Sequence, residues 1–318
     1  MTIGKHVFKF FFMKWLVILV ILSECSMAED INQWHPITLA NSQQINIYSD
    51  ITKTTYNIRV FVPTEPPMEN QQGYPVAFLL DGDVSFIYAQ QAALRLLSRK
   101  VLAPVIIVAI DFANQSNHLS RTELRTKDYT PSIYEDSYFK NNKQLSGGAD
   151  KFLAFVEQEL KPWLAKKYSI NPAKQALYGH SYGGLLVLHA FATSIASFQY
   201  YYAASPSIWW DNNYVLKEVE QRLQQLTNIP AQPKQTTPLI LRASVGSLEQ
   251  TADDTDMIRS NIIKERAMVD NVEQLAKVLK IMPSSVVDFS YQVLPDEDHG
   301  SVQAIAINRF IMDFSRLK

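Results

Sequence analysis

The stretch that decides the architecture is Ala176-Leu177-Tyr178-Gly179-His180-Ser181-Tyr182-Gly183-Gly184-Leu185-Leu186-Val187. It opens on a short apolar strand and runs into a helix of small and apolar residues that extends through Ala196. Between the two lies Gly179-His180-Ser181-Tyr182-Gly183, in which Ser181 occupies a sharp strand-to-helix turn. Such a turn holds the serine backbone in a strained conformation, and flanking glycines remove side chains that would clash there. Gly184 adds room for close helix–strand packing. The turn projects Oγ from the sheet edge, beside a helix N-terminus that stabilises negative charge. Ser181 is therefore the candidate nucleophile. The competing reading is a Gly-rich turn with an incidental serine.

Working outward, two nearly continuous apolar runs precede this turn, Val76–Leu80 and Val105–Ile110, each followed by Asp. Runs of that kind suit strands buried on both faces of a parallel sheet. Tyr56–Val62 alternates and is rich in β-branched residues, and shorter strand-like stretches lie at Ile37–Leu39 and Ile45–Tyr48. Further strands are expected at Tyr200–Ala204, Leu239–Ala243 and Val287–Leu294. Helical patterns separate them: Ile87, Leu94 and Leu97; then Phe152, Phe155, Val156, Leu160 and Trp163; then 213–225, 261–281 and Val302–Phe314. Residues 114–148 read as a long polar loop able to act as a lid. Strands alternating with helices predict a doubly wound, mostly parallel α/β sheet, with the opening strands as an antiparallel edge.

Six motifs carry a family resemblance. They are Leu79-Leu80-Asp81-Gly82-Asp83, Arg125-Thr126-Lys127-Asp128-Tyr129-Thr130-Pro131, the Gly-His-Ser-Tyr-Gly-Gly turn, Ser205-Pro206-Ser207-Ile208-Trp209-Trp210, Gly246-Ser247-Leu248-Glu249 and His299-Gly300-Ser301. In this order they resemble the esterases grouped with esterase D, the siderophore esterases and the mycolyltransferase-like antigens, and most of all the siderophore-esterase-like branch. The resemblance implies an α/β-hydrolase fold over most of residues 40–318, without a cofactor. It is much less specific for a substrate.

A nucleophilic serine needs a neutral imidazole to take its proton. His180 lies inside the turn, His189 two helical turns later, His35 before the sheet and His118 in the long loop. Only His299 follows the last strand, where the order serine, acid, histidine puts the base. Glu249, three residues after Gly246, resembles the position of the family's acid; Asp253, Asp254 and Asp256 compete for that role, as does a dyad without an acid. The tetrahedral intermediate needs two preorganised donors. One is the backbone N–H of Tyr182, and the resemblance points to that of Asp83 for the other. Arg125, Trp209 and Trp210 are candidate substrate-binding residues, each with an ordinary structural reading beside it: a solvated loop arginine, or core packing for the tryptophans.

The chain of 318 residues is 47% hydrophobic and 19% charged with a formal net charge of −1, so no electrostatic case exists for a nucleic-acid partner. Lys5, Lys9 and Lys14 followed by the apolar run Trp15–Leu22 and by Ser26-Met27-Ala28 read as an export signal over residues 1–28, ahead of one hydrolase domain over 29–318. The expected location is periplasmic or secreted; an uncleaved N-terminal anchor is the alternative, and a lipidated Cys25 is disfavoured by Glu24. Eight apolar residues are too few to span a bilayer, which takes roughly 20. Cleavage would leave 27 basic and 30 acidic side chains and no cysteine, excluding disulfides and cysteine chemistry. No metal-ligand cluster, nucleotide-binding glycine motif or cofactor site is present in the sequence. The expected function is hydrolysis of small-molecule carboxylic esters through an acyl-enzyme. Acyl transfer or peptide cleavage on the same residues, and a non-catalytic binding protein keeping the fold, are the alternatives.

Overall fold

The computed structural model describes residue 34 and residues 38–69, 72–98, 103–113, 119–134, 145–193, 195, 197–228, 237–251 and 256–316. Asn41–Lys318 is one compact unit; Met1–Ala40 is a second, of which only residues 34 and 38–40 are described. The expected export signal and Ile37 lie outside the described residues, and Thr38 and Leu39 are irregular.

Eight strands form one sheet: β1 Ser42–Tyr48, β2 Thr55–Phe61, β3 Tyr74–Leu79, β4 Ile106–Phe112, β5 Ile170–His180, β6 Tyr200–Ala204, β7 Leu239–Gly246 and β8 Val287–Leu294. Their spatial order is β1-β2-β4-β3-β5-β6-β7-β8. β1 pairs with β2 and β2 with β4 antiparallel; every later pairing is parallel. This is the predicted mostly parallel α/β sheet with an antiparallel N-terminal edge.

The continuous apolar runs are explained by burial on both sides. In β3, Val76 and Phe78 enter one core while Ala77 and Leu79 enter the other. In β4, Ile106, Val108 and Ile110 face the first, and Ile107 and Ala109 the second. The second core is closed by helix α1 (Gly82–Leu97) and by the C-terminal helix Val302–Arg316, whose Phe310 packs against Tyr178, Tyr200 and Tyr202. Truncating such a buried Phe typically costs about 3–5 kcal/mol. Across the sheet, the first core is covered by α2 (Arg121–Tyr129), α3 (Ala149–Phe155), α4 (Lys161–Lys167), α5 (Tyr182–Thr193), α6 (Tyr214–Asn228) and, after α7 (Met257–Arg266), by α8 (Met268–Leu279). A π-helical turn, Val156–Leu160, joins α3 to α4.

Two expectations change. The segment 114–148 is not a plain loop: its middle is α2, capped by Ser120 and Glu123 in a reciprocal capping box. The stretch 261–281 is two helices, broken at Ala267, which sits in the left-handed region at φ 42°.

Candidate active site

Ser181, Glu249 and His299 each follow the carboxyl end of a parallel strand, where α/β folds build their sites. β5 ends at His180 and α5 begins at Tyr182, so Ser181 alone makes the turn, with φ 60°. A non-glycine residue in that region costs of order 1–3 kcal/mol. Three backbone hydrogen bonds hold it: Ser181 N–H donates to Ala204 O at 3.0 Å, and its carbonyl accepts from Leu185 at 3.0 Å and Ser207 at 3.1 Å. The glycine requirement is narrower than the pentapeptide suggests. A Cβ on Gly179 would lie 2.2 Å from Gly183 O, and one on Gly184 would lie 2.8 Å from Ala204 O; one on Gly183 would meet nothing closer than 3.4 Å. Gly179 and Gly184, rather than Gly183, are what the helix–strand approach demands.

Ser181 Oγ is 3.0 Å from His299 Nε2, and His299 Nδ1 is 2.6 Å from Glu249 Oε2. Glu249 follows β7 in the 3-10 turn Ser247–Gln250, and His299 follows β8. The Glu249 carboxylate is buried, and its other oxygen accepts from Ser205 Oγ at 2.5 Å and from Gly246 N–H at 2.7 Å. Burial opposes its ionisation, but the hydrogen bonds from His299, Ser205 and Gly246 outweigh this and hold its pKa below the ordinary carboxylate value. An ionised carboxylate only accepts, so His299 carries its proton on Nδ1 and presents the Nε2 lone pair to Ser181. An imidazole so fixed is arranged to accept the serine proton.

His180 has a part that the sequence did not disclose. Its Nε2 lies 2.7 Å from the backbone oxygen of His299, and the two rings are 4.6 Å apart. A carbonyl only accepts, so Nε2 donates. Burial, followed by His299, depresses the His180 pKa to about 4, keeping the ring neutral. Asp298 completes the support, its carboxylate accepting from Gly300 N–H and Ser301 N–H at 2.8 Å each.

Of the competing acids, Asp253 and Asp254 lie outside the described residues. Asp256 caps α7, accepting from Ile258 and Arg259 N–H.

Tyr182 is the first residue of α5, as expected for the donor after the nucleophile. The Asp83 N–H is engaged elsewhere: it donates to Asp111 Oδ2 at 2.8 Å and is not open to a substrate oxygen in this conformation. Arg125 is held by internal partners. Its guanidinium bonds Asp81 with Nε at 2.6 Å and Nη2 at 2.8 Å, and Nη2 donates to His180 O at 3.0 Å. It packs between the rings of Tyr129 and Tyr182 and braces the turn rather than standing in solvent. Beside it Arg121 bridges Asp83 and Asp111. Asp81 and Asp111 are the residues that end the two apolar runs, the sequence signal for this network.

A cleft of about 480 Å³ opens over Ser181 and His299. Trp209 lines it; Trp210 is 1% exposed, donates Nε1–H to Ser132 Oγ at 3.1 Å and supports Tyr182 edge-on. Helix α7 also lines it, through Arg259, Ile262, Ile263 and Arg266, none of them singled out from sequence. Among the described residues, no group of three or more His, Cys, Asp or Glu is arranged to hold a metal, and no helix is long and apolar enough to cross a membrane.

Residues 49–281 match the family model "Esterase", described as "Putative esterase". The chain is 32% identical over 258 residues to a siderophore enterobactin esterase of Emericella nidulans, covering 76% of this chain and 82% of that one. It is 32% identical over 298 residues to a siderophore triacetylfusarinine C esterase of Aspergillus fumigatus, covering 88% and 94%. The solved structure of the siderophore hydrolase EstA from Aspergillus nidulans superposes with a TM-score of 0.75 at 28% identity, over 90% of this chain and 99% of that one. The chain belongs to the esterase family and is a carboxylic ester hydrolase.

Proposed function

We propose that Ser181, His299 and Glu249 are the triad of this hydrolase and that its substrates are siderophore esters. The observation that carries the assignment is the continuous relay from Ser181 Oγ to His299 at 3.0 Å and from His299 to Glu249 at 2.6 Å. Ser181 Oγ attacks the ester carbonyl carbon while its proton passes to His299 Nε2. The Tyr182 N–H, at the start of α5, stabilises the oxyanion. The tetrahedral intermediate collapses, His299 returns the proton to the departing alkoxide, and an acyl-serine remains. Water, deprotonated by His299, then repeats the sequence and releases the acid. Glu249 holds the imidazole in the required tautomer and offsets the imidazolium charge. The substrate class is supported by the names of the relatives. An exported enzyme, periplasmic or secreted, is the reading that the first 28 residues favour.

The test combines a fluorophosphonate probe with hydrolysis of p-nitrophenyl esters and of ferric siderophore esters. Labelling that vanishes in Ser181→Ala, with siderophore esters preferred over simple ones, is the expected result. Labelling of another residue, or indifference between the substrates, overturns the corresponding half of the proposal.

A further inference from the structure

Ser205-Pro206-Ser207 follows β6, and its two hydroxyls reach opposite ends of the proton relay. Ser205 Oγ donates to Glu249. Ser207 Oγ lies 3.4 Å from Ser181 Oγ. Ser207 is 2% exposed and lines the cleft over Ser181 and His299. Among the described residues, Ser181 Oγ is the one hydrogen-bond partner of its hydroxyl. Its backbone is pinned on both sides: the N–H donates to Ser181 O at 3.1 Å, and the carbonyl accepts from Trp210 N–H at 3.1 Å. Main-chain bonds thus fix the Ser207 side chain beside the nucleophile.

Proton placement decides the direction of the contact. Ser181 O–H points to His299 Nε2, which presents a lone pair at 3.0 Å. Ser181 Oγ then has only lone pairs left for Ser207, so Ser207 is the donor. At 3.4 Å the bond is longer than the usual O–H···O distance, as catalytic hydrogen bonds often are before substrate binds. It strengthens as its acceptor gains negative charge.

Resting on the triad proposed above, we infer that Ser207 is a further catalytic residue, whose hydroxyl donates to Ser181 Oγ as that oxygen takes on charge. Each turnover brings this about in both half-reactions. In acylation the Ser181 proton passes to His299 Nε2 while an Oγ electron pair forms the bond to the carbonyl carbon. In deacylation water gives a proton to His299 and bonds to the acyl carbon. The C–Oγ bond then breaks, its electron pair returns to Oγ, and His299 hands the proton back. Ser207 keeps its own proton throughout. Such a donor acts on the enzyme's oxygen, whereas an oxyanion-hole donor acts on the substrate's.

The experiment separates the two half-reactions on p-nitrophenyl acetate. Single-turnover release of p-nitrophenol gives the substrate dissociation constant and the acylation rate. Decay of the acyl-enzyme, followed by mass spectrometry after rapid quenching, gives the deacylation rate. Fluorophosphonate labelling reads the reactivity of Ser181 independently. Ser207→Ala removes the hydroxyl and keeps the backbone bond to Ser181. It should slow acylation, deacylation and labelling by about 10- to 50-fold each, with substrate affinity within about two-fold of wild type. Ser207→Thr, which restores a hydroxyl, should recover most of the loss. Urea unfolding checks that the variants are folded. Should the alanine variant not fold, Ser207→Cys, close in shape but a weak donor, replaces it and should show the same loss in both steps. Both steps above about a third of the wild-type rate in the folded variant, or a loss confined to substrate affinity or to acylation, overturns the role of Ser207. If wild-type protein cleaves no ester and the fluorophosphonate leaves its Ser181 unlabelled, the triad assignment itself fails.

Discussion

Replacing Glu249 by Gln leaves shape and volume nearly unchanged and removes a charge, which isolates what the carboxylate does. In the wild-type site one oxygen accepts from His299 Nδ1–H, and the other accepts from Ser205 Oγ and Gly246 N–H. An amide cannot satisfy both sides. With its oxygen toward His299, its NH₂ faces the Gly246 N–H, donor against donor in a buried place, at a cost of about 1–3 kcal/mol. With its NH₂ toward His299, it donates to Nδ1, moves the imidazole proton to Nε2, and leaves Ser181 with no base. Either orientation also removes the negative charge that offsets the imidazolium. In the serine proteases the corresponding acid-to-amide change lowers kcat about 10⁴-fold. The Gly246 N–H, which can only donate, draws the Gln oxygen and so biases the amide toward the second, more damaging orientation, and a fall of about 10⁴-fold is expected, about 5–6 kcal/mol of transition-state stabilisation. The assay is steady-state kcat on a p-nitrophenyl ester, with fluorophosphonate labelling rate and urea unfolding in parallel. Retention of more than about a tenth of wild-type kcat in a folded variant would refute the reasoning and return the acid's role to a neighbouring Asp or to a dyad.

The remaining predictions are of stability. Gly179→Ala puts a methyl group against the Gly183 carbonyl; loss of soluble protein, or destabilisation beyond about 3 kcal/mol by thermal or urea unfolding, is expected, whereas Gly183→Ala should be far milder. His189 lies between Glu218, 2.8 Å from Nδ1, and Asp150, 2.7 Å from Nε2. Burial opposes its protonation, but the two carboxylates prevail and raise its pKa to about 9. A raised folded-state pKa stabilises fully below the unfolded value of about 6.5 and is lost as pH climbs through about 9. The stability gap between wild type and His189→Gln should therefore narrow by roughly 2–3 kcal/mol between pH 6.5 and 9.5, a gap independent of pH being the contrary result.

The central sheet was legible because burial on both faces writes itself as unbroken apolar runs, as in Val76–Leu80 and Val105–Ile110. The positions proposed for the serine and the histidine were legible because the fold dictates which strand ends carry them, whereas Glu249 came from the family resemblance with three aspartates competing. Helix α2 was not, because its buried side of Leu124, Thr126, Asp128 and Tyr129 is half polar and shows no apolar period; only the Ser120–Glu123 spacing announced it. The break at Ala267 escaped because alanine carries no turn signal, and its left-handed conformation is imposed by context. The hydrogen bonds of Asp83, Arg125 and His180 were not legible for one shared reason. Their partners Asp111, Asp81 and the His299 carbonyl lie 28, 44 and 119 residues away, and no local pattern encodes such pairings. Arg259 and Arg266 went unmarked because an exposed arginine on a polar helix looks like ordinary solvation.

Helix α7 has a consequence for how this enzyme can change. Met257 and Ile258 are 69% and 75% exposed, and Ser260 is its one buried residue. Ser181, His299 and Glu249, the triad proposed above, and the strand-to-helix turn at Ser181 are by contrast locked into strand ends and tight backbone approaches. Substitutions on α7 therefore alter what enters the cleft while leaving the fold's free energy nearly untouched. Selection can rewrite the charge of that wall one residue at a time, with the bond-breaking apparatus held constant behind it. Divergence in ligand preference among chains of this architecture is accordingly expected to accumulate on this one surface helix first.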